Sequence, residues 1–348
     1  MEEPNIVDIL AKFGIKTELL GITHGVTYTL FELGFDKGIK VARIWKYVDE
    51  LVAALSVESL RIVPIPGRNA VGIEVPNRER TRVDFDSFTD ALESSKELRI
   101  PVALGKDVNG KPIILDLASC ANILVAGNPE TGKTMLLDSF ICSILRTRLS
   151  EETSLAIIDT KGVEFPIYNG DSHLLSPVIT KVSGAFDFLE NLIPEIERRI
   201  KLFNETRVRS IEDYNCRISE RPDSLQKKLP YIVVLVDEFF YLMLEDGKRF
   251  ETLINRITAT ARFCGIHLVL STSRCSASVI TAEIKNDFPS RIAFAVSGSL
   301  GSRIILDQVG AEKLLGAGDL LFWMNSRGTP VRVQGPFVDM TKELRAKL

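Results

Sequence analysis

Short, continuous runs of apolar residues alternate along the last two thirds of the chain with segments in which apolar residues recur every three or four positions. The runs predict six strands, at residues 123–126, 155–159, 232–237, 268–271, 292–296 and 320–323. Strands that are apolar on both sides are typical of a parallel sheet covered on both faces. Their alternation with helices predicts an α/β fold with a mainly parallel, doubly wound sheet.

Two of the intervening segments predict long amphipathic helices. The first covers residues 135–149, and the second runs from Phe186 to Phe203 with its apolar residues in steps of three and four. Pro194 interrupts the second stripe, and we expect this helix to kink or restart there, because proline removes a backbone donor. Gly316 and Gly318 indicate a turn before the last predicted strand.

The first hundred residues indicate a smaller α/β unit. An alternating segment at 27–35 predicts a strand, and apolar residues spaced by four, three and four predict a helix at 41–56. Two further short strands are predicted at 60–65 and 71–75, each ended by proline. This unit therefore differs from the rest of the chain in having short strands and a single predicted helix.

Length and composition agree with two globular domains. The chain has 348 residues, 45% of them hydrophobic and 26% charged, which is close to the globular average and excludes wholesale disorder. A polar stretch at residues 93–98 indicates the boundary. We therefore expect a small α/β domain at 1–99, a larger domain at 100–338 and a C-terminal tail at 339–348.

Charge and cysteine content remove several function classes. The net charge of −3 excludes a polybasic coat for nucleic acid, although it leaves room for a local basic patch. The five cysteines form no CxxC pair, and three histidines are too few for a multi-histidine metal centre. The start of the chain lacks signal-peptide features, and no apolar run reaches the ~20 residues that span a bilayer. We expect a cytoplasmic protein with free thiols that is not inserted in a membrane.

A phosphate-binding loop follows the first of the six strands. Residues 127–134 fit the pattern GxxxxGK[ST] between a predicted strand and a predicted helix, as a P-loop requires. Its backbone N–H groups would surround phosphates at a helix N-terminus, Lys133 would reach the β- and γ-phosphates, and Thr134 would bind Mg²⁺. The sequence thus predicts ATP and Mg²⁺ as cofactors. The predicted nucleotide-binding residues are Gly127, Asn128, Pro129, Glu130, Thr131, Gly132, Lys133, Thr134 and Met135.

Two acidic residues end the apolar run at 232–237. Asp237 would lie at the carboxyl edge of the sheet, where it holds Mg²⁺ through water, and Glu238 would polarise an attacking water. An acidic residue after a buried strand is a weak signal by itself. Together with a P-loop about a hundred residues upstream, it indicates a P-loop ATPase, and the adjacent glutamate favours hydrolysis over phosphoryl transfer to a small acceptor.

Three longer segments resemble the FtsK/SpoIIIE family of DNA translocases; they lie at residues 260–274, 279–294 and 302–319. The N-terminal third fits as well, and the resemblance covers about residues 20–338. It implies an α domain followed by a RecA-like β domain, assembled as a hexameric ring around double-stranded DNA. Such a ring uses ATP to pump the duplex through its pore.

The resemblance also implies roles for residues outside the P-loop. Arg262 matches an arginine that reaches the γ-phosphate bound by the neighbouring subunit, with Arg303 as the alternative. Lys133, Glu238 and Arg262 are thus the expected catalytic residues. Positions that contact the DNA backbone in the pore fall at Thr272, Arg274 and Lys285.

The chain departs from the family pattern at several points. The membrane segment, long linker and C-terminal winged-helix γ domain that family members usually carry are not found here. The usual Asp-Pro-Lys reads Asp159-Thr-Lys161, and Ser273 replaces a glutamine that would sense the γ-phosphate. We expect a minimal, mobile-element-type translocase or the isolated motor portion of one. Without a γ domain, we expect no reading of DNA sequence.

Two other functions stay open at the level of sequence. A protein-translocating ATPase of the type VII secretion kind would share the motor, although such proteins usually carry several linked ATPase units. A nucleotide-binding ring scaffold with little hydrolysis is the third hypothesis; Ser273 leaves room for it, whereas intact Lys133 and Glu238 argue against it. The leading hypothesis implies double-stranded DNA and further copies of the chain as partners, with a separate DNA-orienting or recombination protein as an option.

Overall fold

A computed structural model describes residues 5–35, 41–65, 67–220, 226–324 and 328–342. The elements of the N-terminal unit are α1 (Ile6–Lys12), β1 (Thr17–His24), β2 (Tyr28–Phe35), α2 (Val48–Leu55), β3 (Arg61–Pro64) and β4 (Ala70–Pro76). Four strands in this part of the described chain form an antiparallel sheet in the order β1-β2-β4-β3. Apolar residues of both helices pack with those of the sheet in one small core.

The predicted N-terminal elements are present, with three differences, the first being that the pattern does not predict α1. The expected helix at 41–56 begins as a 3₁₀ helix (Val41–Tyr47) and is α-helical only over Val48–Leu55. The pattern does not predict β1, because Leu19 and Leu20 are adjacent, are both exposed and lie at an irregularity in the pairing with β2. A search for strict alternation of apolar and polar residues therefore does not detect this bulged edge strand.

The later elements build a larger unit. They are α3 (Thr89–Glu93), β5 (Pro101–Lys106), β6 (Pro112–Asp116), β7 (Ile123–Ala126), α4 (Lys133–Thr147), β8 (Thr153–Asp159), α5 (Val182–Thr206), α6 (Ile211–Ser219), β9 (Tyr231–Asp237), α7 (Phe240–Ala261), β10 (Ile266–Thr272), α8 (Ala282–Asp287), β11 (Ser290–Phe294), α9 (Ser299–Leu306), β12 (Asp319–Trp323) and β13 (Val331–Gln334). All six strands predicted in this region are present.

The nine strands described in the larger unit form one sheet, in the order β6-β5-β13-β12-β11-β7-β10-β9-β8. Five neighbouring strands, β11, β7, β10, β9 and β8, run parallel to one another. The other four, β12, β13, β5 and β6, form antiparallel pairs, and β12 also pairs antiparallel with β11. The sheet is therefore mixed, and the expectation of a mainly parallel sheet holds only for one half of it. The apolar runs miss β5, β6 and β13; β13 has only four residues, two of them polar.

Helices cover both faces of this sheet, which explains why its central strands are mostly apolar. On β9, Val234 and Val236 pack in one core with α5 and α7, while Val233 and Leu235 pack in a second core with α4. Successive side chains of a strand point to opposite faces, so a strand buried on both sides is mostly apolar, and its polar residues, such as His267 and Ser271 on β10, are buried as well.

Two long helices flank the sheet on the first of these faces. Helix α5 is one continuous helix from Val182 to Thr206 with Pro194 inside it, so the restart considered at this proline is wrong. Helix α7 contains one non-helical residue, Asp246. Among the described residues, no helix is both long enough and apolar enough to cross a membrane.

The segment that follows the small sheet packs on the large unit. Phe85, Phe88 and Leu92 belong to the same core as α4. Two backbone hydrogen bonds tie this segment to the C-terminal region, from the Phe85 N–H to the Phe337 carbonyl (3.0 Å) and from the Phe337 N–H to the Val83 carbonyl (2.7 Å). We therefore propose a domain border between β4 and residue 83, instead of at residue 99.

Candidate active site

Four strand ends meet at one edge of the large sheet. The parallel strands β7, β10, β9 and β8 are neighbours, so the residues that follow them lie side by side. Asp237 at the end of β9 pairs in register with Asp159 at the end of β8, and the Gly127 N–H donates to the Thr272 carbonyl across β7 and β10 (3.4 Å). This edge brings together the P-loop, the acidic pair and the segment that contains Ser273.

The P-loop is packed so closely that the two glycines of its GxxxxGK[ST] pattern have no room for a side chain. A Cβ atom on Gly127 would lie 2.5 Å from the Cβ of Phe294. Gly132 has a φ of +116°, and a Cβ there would lie 2.9 Å from the backbone of Gly318. The Gly318 N–H also donates to the Thr131 carbonyl (2.9 Å). The turn at 316–318, predicted from its glycines, therefore supports the phosphate-binding loop.

Lys133 is folded onto its own loop. Its ammonium donates to the Asn128 carbonyl (2.7 Å), which also accepts the Thr131 hydroxyl (2.7 Å). Only 6% of Lys133 is exposed, and this burial lowers the pKa of its ammonium. A buried cation with a neutral carbonyl as its hydrogen-bond acceptor favours the arrival of an anion such as a phosphate.

The rest of the predicted loop surrounds this lysine. Pro129 and Glu130 are exposed, and Thr134 and Met135 are half-buried in the first turn of α4. Glu130 has a positive φ of 62°, which is uncommon for a residue other than glycine and marks the bend of the loop. The nine residues predicted to bind nucleotide thus form one continuous loop that leads into a helix N-terminus, with Gly127, Thr131 and Lys133 buried.

Asp237 and Glu238 are both buried, with 4% and 5% of their surfaces exposed. Burial, and next the charge of Glu238, raise the pKa of Asp237 to about 6. Burial acts on Glu238 in the same sense, but the Ser273 N–H and the ammonium groups of Lys161 and Lys133 outweigh it and hold the pKa of Glu238 below its usual range. The surroundings therefore act on the two neighbouring carboxyls in opposite ways. They disfavour the ionised form of Asp237 and stabilise the ionised form of Glu238.

The donor set at this edge fits a magnesium ion. Thr134 and Asp237 offer a hydroxyl and a carboxylate, the oxygen ligands that Mg²⁺ prefers. The raised pKa of Asp237 shows a buried carboxyl that a divalent cation would keep ionised. Among the described residues, no three histidine, cysteine, aspartate or glutamate side chains are grouped for a metal ion. An ion here would therefore depend on phosphate and water oxygens for its other ligands.

A cavity of about 380 Å³ lies beside the P-loop. It is lined by Gly132 and Met135, by the 315–318 turn, and by two segments that the sequence did not connect with the site, 80–83 and 334–337. The Arg82 guanidinium lies over the Phe337 ring in its wall, 4.2 Å from the ring centre. Because no motif marks the two outer segments, only their packing against each other reveals this pocket.

The two arginines considered for the neighbouring site lie at different edges. Arg262 is exposed at the end of α7, a helix that begins just after Glu238 and crosses the sheet to its opposite edge. Arg262 is therefore remote from the P-loop of its own chain. Arg303 is exposed on α9, which starts near Ser297, and the Ser297 hydroxyl accepts the Asn128 side-chain amide (2.9 Å). Arg303 thus lies on the same side of the sheet as its own P-loop.

Of the three residues expected to contact DNA, Thr272 and Arg274 are brought together, since the Arg274 N–H donates to the Thr272 hydroxyl (3.1 Å), whereas Lys285 lies apart. Thr272 is fully buried at the end of β10, which disfavours a direct contact of its side chain with DNA. Arg274 is exposed, and its guanidinium lies 5.0 Å from the centre of the Phe240 ring. The Lys285 ammonium pairs with Asp307 (2.5 Å), and the Lys285 carbonyl accepts from Arg291 at the start of β11, near the opposite sheet edge.

Comparison with known proteins supports one family. A model of the FtsK/SpoIIIE family matches residues 86–277, and a model of the FtsK alpha domain matches residues 1–77. The gap between the two matches contains the domain border proposed from packing.

Two relatives show the extent of the similarity. The DNA translocase FtsK of Treponema pallidum (strain Nichols) is 44% identical over 333 residues, which cover 95% of this chain and 42% of that protein. The DNA translocase FtsK of Borreliella burgdorferi is 42% identical over 332 residues, again covering 95% of this chain and 42% of the relative. This chain therefore spans less than half the length of these relatives.

Two solved structures share the fold. The conjugation coupling protein TcpA of pCW3, in a monomer form with ATPγS, aligns with a TM-score of 0.67 and 23% identity over 98% of both chains. The cytoplasmic domain of the type VII secretion ATPase EccC of Thermomonospora curvata aligns with a TM-score of 0.60 and 22% identity over 69% of this chain and 29% of that one. At such identities the similarity concerns the fold alone.

Proposed function

This chain belongs to the FtsK/SpoIIIE family, and we propose on that basis that it is an ATP-driven motor which pumps double-stranded DNA without reading its sequence. One observation carries the hydrolytic part of this proposal: a P-loop lysine, a buried aspartate and an adjacent glutamate converge at one sheet edge. The names of the two translocase relatives support DNA as the cargo. Five parallel strands covered by helices on both faces support a RecA-like, doubly wound core.

The proposed hydrolysis assigns one task to each group. The Lys133 ammonium leaves the Asn128 carbonyl and neutralises the β- and γ-phosphates of ATP, and the P-loop N–H groups hold these phosphates. Thr134 and Asp237 would hold Mg²⁺, which neutralises charge on the phosphate oxygens when it is bound. Glu238 orients the attacking water and accepts its proton. The cavity beside Gly132 and Met135 would receive the base of the nucleotide.

A ring is part of the proposal because Arg262 is far from its own P-loop. An exposed arginine at the opposite sheet edge suits a neighbour's γ-phosphate, where it stabilises the charge of the transition state. Head-to-tail contacts of this kind close by rotation, and a hexamer is the closure proposed here. Arg303 stays the alternative, although its place beside its own P-loop favours it less.

Of the residues proposed for DNA, Arg274 is the strongest. It is exposed, and its guanidinium is suited to phosphate oxygens, which carry no sequence information. Lys285 must first leave Asp307, so we propose a smaller contribution from it. The motor would work in the cytoplasm, where DNA and ATP are both present, alone or with a separate DNA-orienting or recombination protein.

A steady-state ATPase assay with and without duplex DNA tests this function. We expect Mg²⁺-dependent hydrolysis that rises on adding duplex DNA of any sequence, with a rate per chain that increases with protein concentration, because Arg262 acts between subunits. Lys133→Ala is the matched inactive control. Hydrolysis indifferent to DNA would contradict the translocase and favour a protein-moving ATPase; no hydrolysis with intact nucleotide binding would favour a scaffold.

A further inference from the structure

Both carboxylate oxygens of Glu238 are engaged by the protein itself. The Lys161 ammonium lies 3.3 Å from Oε1, and the Ser273 N–H donates to Oε2 (2.9 Å). A general base must turn an oxygen lone pair towards the attacking water, and these two contacts fix the direction of the carboxylate. A carboxylate that accepts hydrogen bonds on both oxygens is a poorer proton acceptor. The described arrangement thus holds the proposed base in a restrained state.

The loop that carries Lys161 is fixed to the sheet. The fully buried Asp159 carboxylate at the end of β8 accepts five consecutive backbone N–H groups, at 3.0–3.2 Å. The donors are Lys161, Gly162, Val163, Glu164 and Phe165. Because Asp159 pairs in register with Asp237, the sheet sets the distance from the start of this loop to Glu238. The position of Lys161 beside Glu238 is therefore built into the fold.

The backbone of Glu238 is also held in an uncommon conformation. Its φ is +48°, in the left-handed region that residues other than glycine rarely adopt. Such strain persists only where the surroundings over-determine the residue. The next residue anchors the backbone here, because the Phe239 N–H donates to the Ser271 carbonyl of β10 (2.9 Å), while Lys161 and Ser273 hold the Glu238 side chain.

The two restraints differ in how a ligand would reach them. The Lys161 side chain is 41% exposed, so its pair with Glu238 is weak enough to break. Ser273 is followed directly by Arg274, the exposed arginine proposed above as the main DNA contact. A DNA phosphate that moves Arg274 would act on the Ser273 N–H next to it.

We infer that Lys161 is a positioning residue that clamps Glu238 in the DNA-free motor, and that DNA stimulates hydrolysis by freeing Glu238 from this clamp. This inference rests on the proposed function for the part played by DNA. The clamp itself rests on the contacts of Lys161 with Glu238. The role of Lys161, in the segment Asp159-Thr-Lys161, is then to keep ATP hydrolysis low while no DNA is bound.

The test compares Lys161→Met with Lys161→Arg and with Lys201→Met, a control that removes an exposed lysine from α5. We expect the DNA-free kcat of Lys161→Met to rise about two- to fivefold, the range expected for losing a partly exposed ion pair. The KM for ATP should change less than twofold, and the stimulation by DNA should shrink by the same factor as kcat rises. Lys161→Arg and Lys201→Met should behave like the wild type, because the first keeps the charge and the second never touches Glu238.

Three results would overturn the clamp. A lower kcat in Lys161→Met would mean that Lys161 assists hydrolysis, and a raised KM alone would mean that it binds the phosphates of ATP. An unchanged DNA-free rate, including no activity in either protein, would mean that it restrains nothing. Lys161→Gln, whose side chain is polar and uncharged, repeats the comparison if the methionine variant folds poorly.

A second background separates the clamp from the proposed function. In Glu238→Gln chains, adding Lys161→Met should leave the residual rate unchanged, because the lysine acts only through Glu238; an increase there would contradict the inference. A wild type that hydrolyses ATP but ignores DNA would contradict the translocase, whereas the DNA-free comparison of Lys161→Met with Lys161→Arg would still decide the clamp.

Discussion

Two regions of the molecule bury charged side chains, and they treat them in opposite ways. At the junction between the small and the large sheet, Arg332 has a 2% exposed side chain and forms two hydrogen bonds to Asp319 (2.9 and 2.6 Å) and one to Glu74 (2.7 Å). At the catalytic edge, Lys133 has a neutral carbonyl as its hydrogen-bond acceptor, and Asp237 has a raised pKa. The buried arginine at the junction is paired with carboxylates of the same chain. Lys133 at the catalytic edge instead donates to a neutral carbonyl, and the ionised form of Asp237 is disfavoured.

The junction network joins the two units of the chain. Glu74 also pairs with Arg61 from β3 (3.1 Å), and the Arg332 guanidinium lies 4.3 Å from the centre of the Tyr28 ring. Tyr28, Arg61 and Glu74 come from the small sheet, whereas Asp319 and Arg332 come from the large one. Burial opposes the charge of Arg332, but the carboxylates of Asp319 and Glu74 outweigh it and raise the pKa of the guanidinium.

The difference separates charges that hold the structure from charges that await a ligand. Buried ions are tolerated only when partners replace the lost water. Arg332 has all of its partners within the chain, so a ligand would add nothing there. Lys133 and Asp237 do not, so phosphates and a divalent cation would complete what the fold leaves open.

The largest effect is expected at the catalytic edge. Glu238→Gln should lower hydrolysis by about two to four orders of magnitude and still bind ATP, because water activation is lost while the phosphate contacts stay. Lys133→Ala should lose both hydrolysis and ATP binding, because the positive charge that contacts the phosphates is removed. Steady-state hydrolysis and the binding of a fluorescent ATP analogue measure the two properties. Normal hydrolysis by Glu238→Gln would show that another group activates the water.

At the junction between the two sheets, we expect the next largest effect, and we expect it in the stability of the protein. Arg332→Met should lower the free energy of unfolding by about 3–5 kcal/mol, because Asp319 is left as a buried carboxylate without its cationic partner and Glu74 keeps only its pair with Arg61. Arg256→Met is the matched control: its pair with Glu197 is 62% and 65% exposed, and its loss should cost at most about 1 kcal/mol. Denaturant unfolding compares the two variants. Equal losses would mean that the junction charges are no more structural than a surface pair.

The smallest effect is expected for DNA binding. Arg274→Ala should weaken the binding of unrelated duplexes equally, by about three- to fivefold, and flatten the salt dependence by about one phosphate contact. Lys285→Ala should have less effect, because Asp307 already neutralises the lysine. Competition between duplexes of equal length at several salt concentrations measures both. A loss confined to one sequence would reveal direct readout of bases.

Local pattern was sufficient for the parts of this protein that are continuous in sequence. The P-loop, the helix after it and the acidic pair at the end of a strand each lie within a few neighbouring residues, so spacing alone indicates their chemistry. The six strands predicted in the large unit are also local, because a strand buried on both faces contains a continuous run of apolar residues. The family follows from the same continuous motifs.

Only the tertiary structure decided what depends on distant residues coming together. It buries Thr272, pairs Lys285 with Asp307, and places Lys161 beside Glu238 although 77 residues separate the two in sequence. It also makes the sheet mixed and forms the pocket beside the P-loop from segments that carry no motif. A sequence pattern records which face of its own element a residue occupies. The partner on that face is set by strand order and packing, which no short stretch of the chain contains.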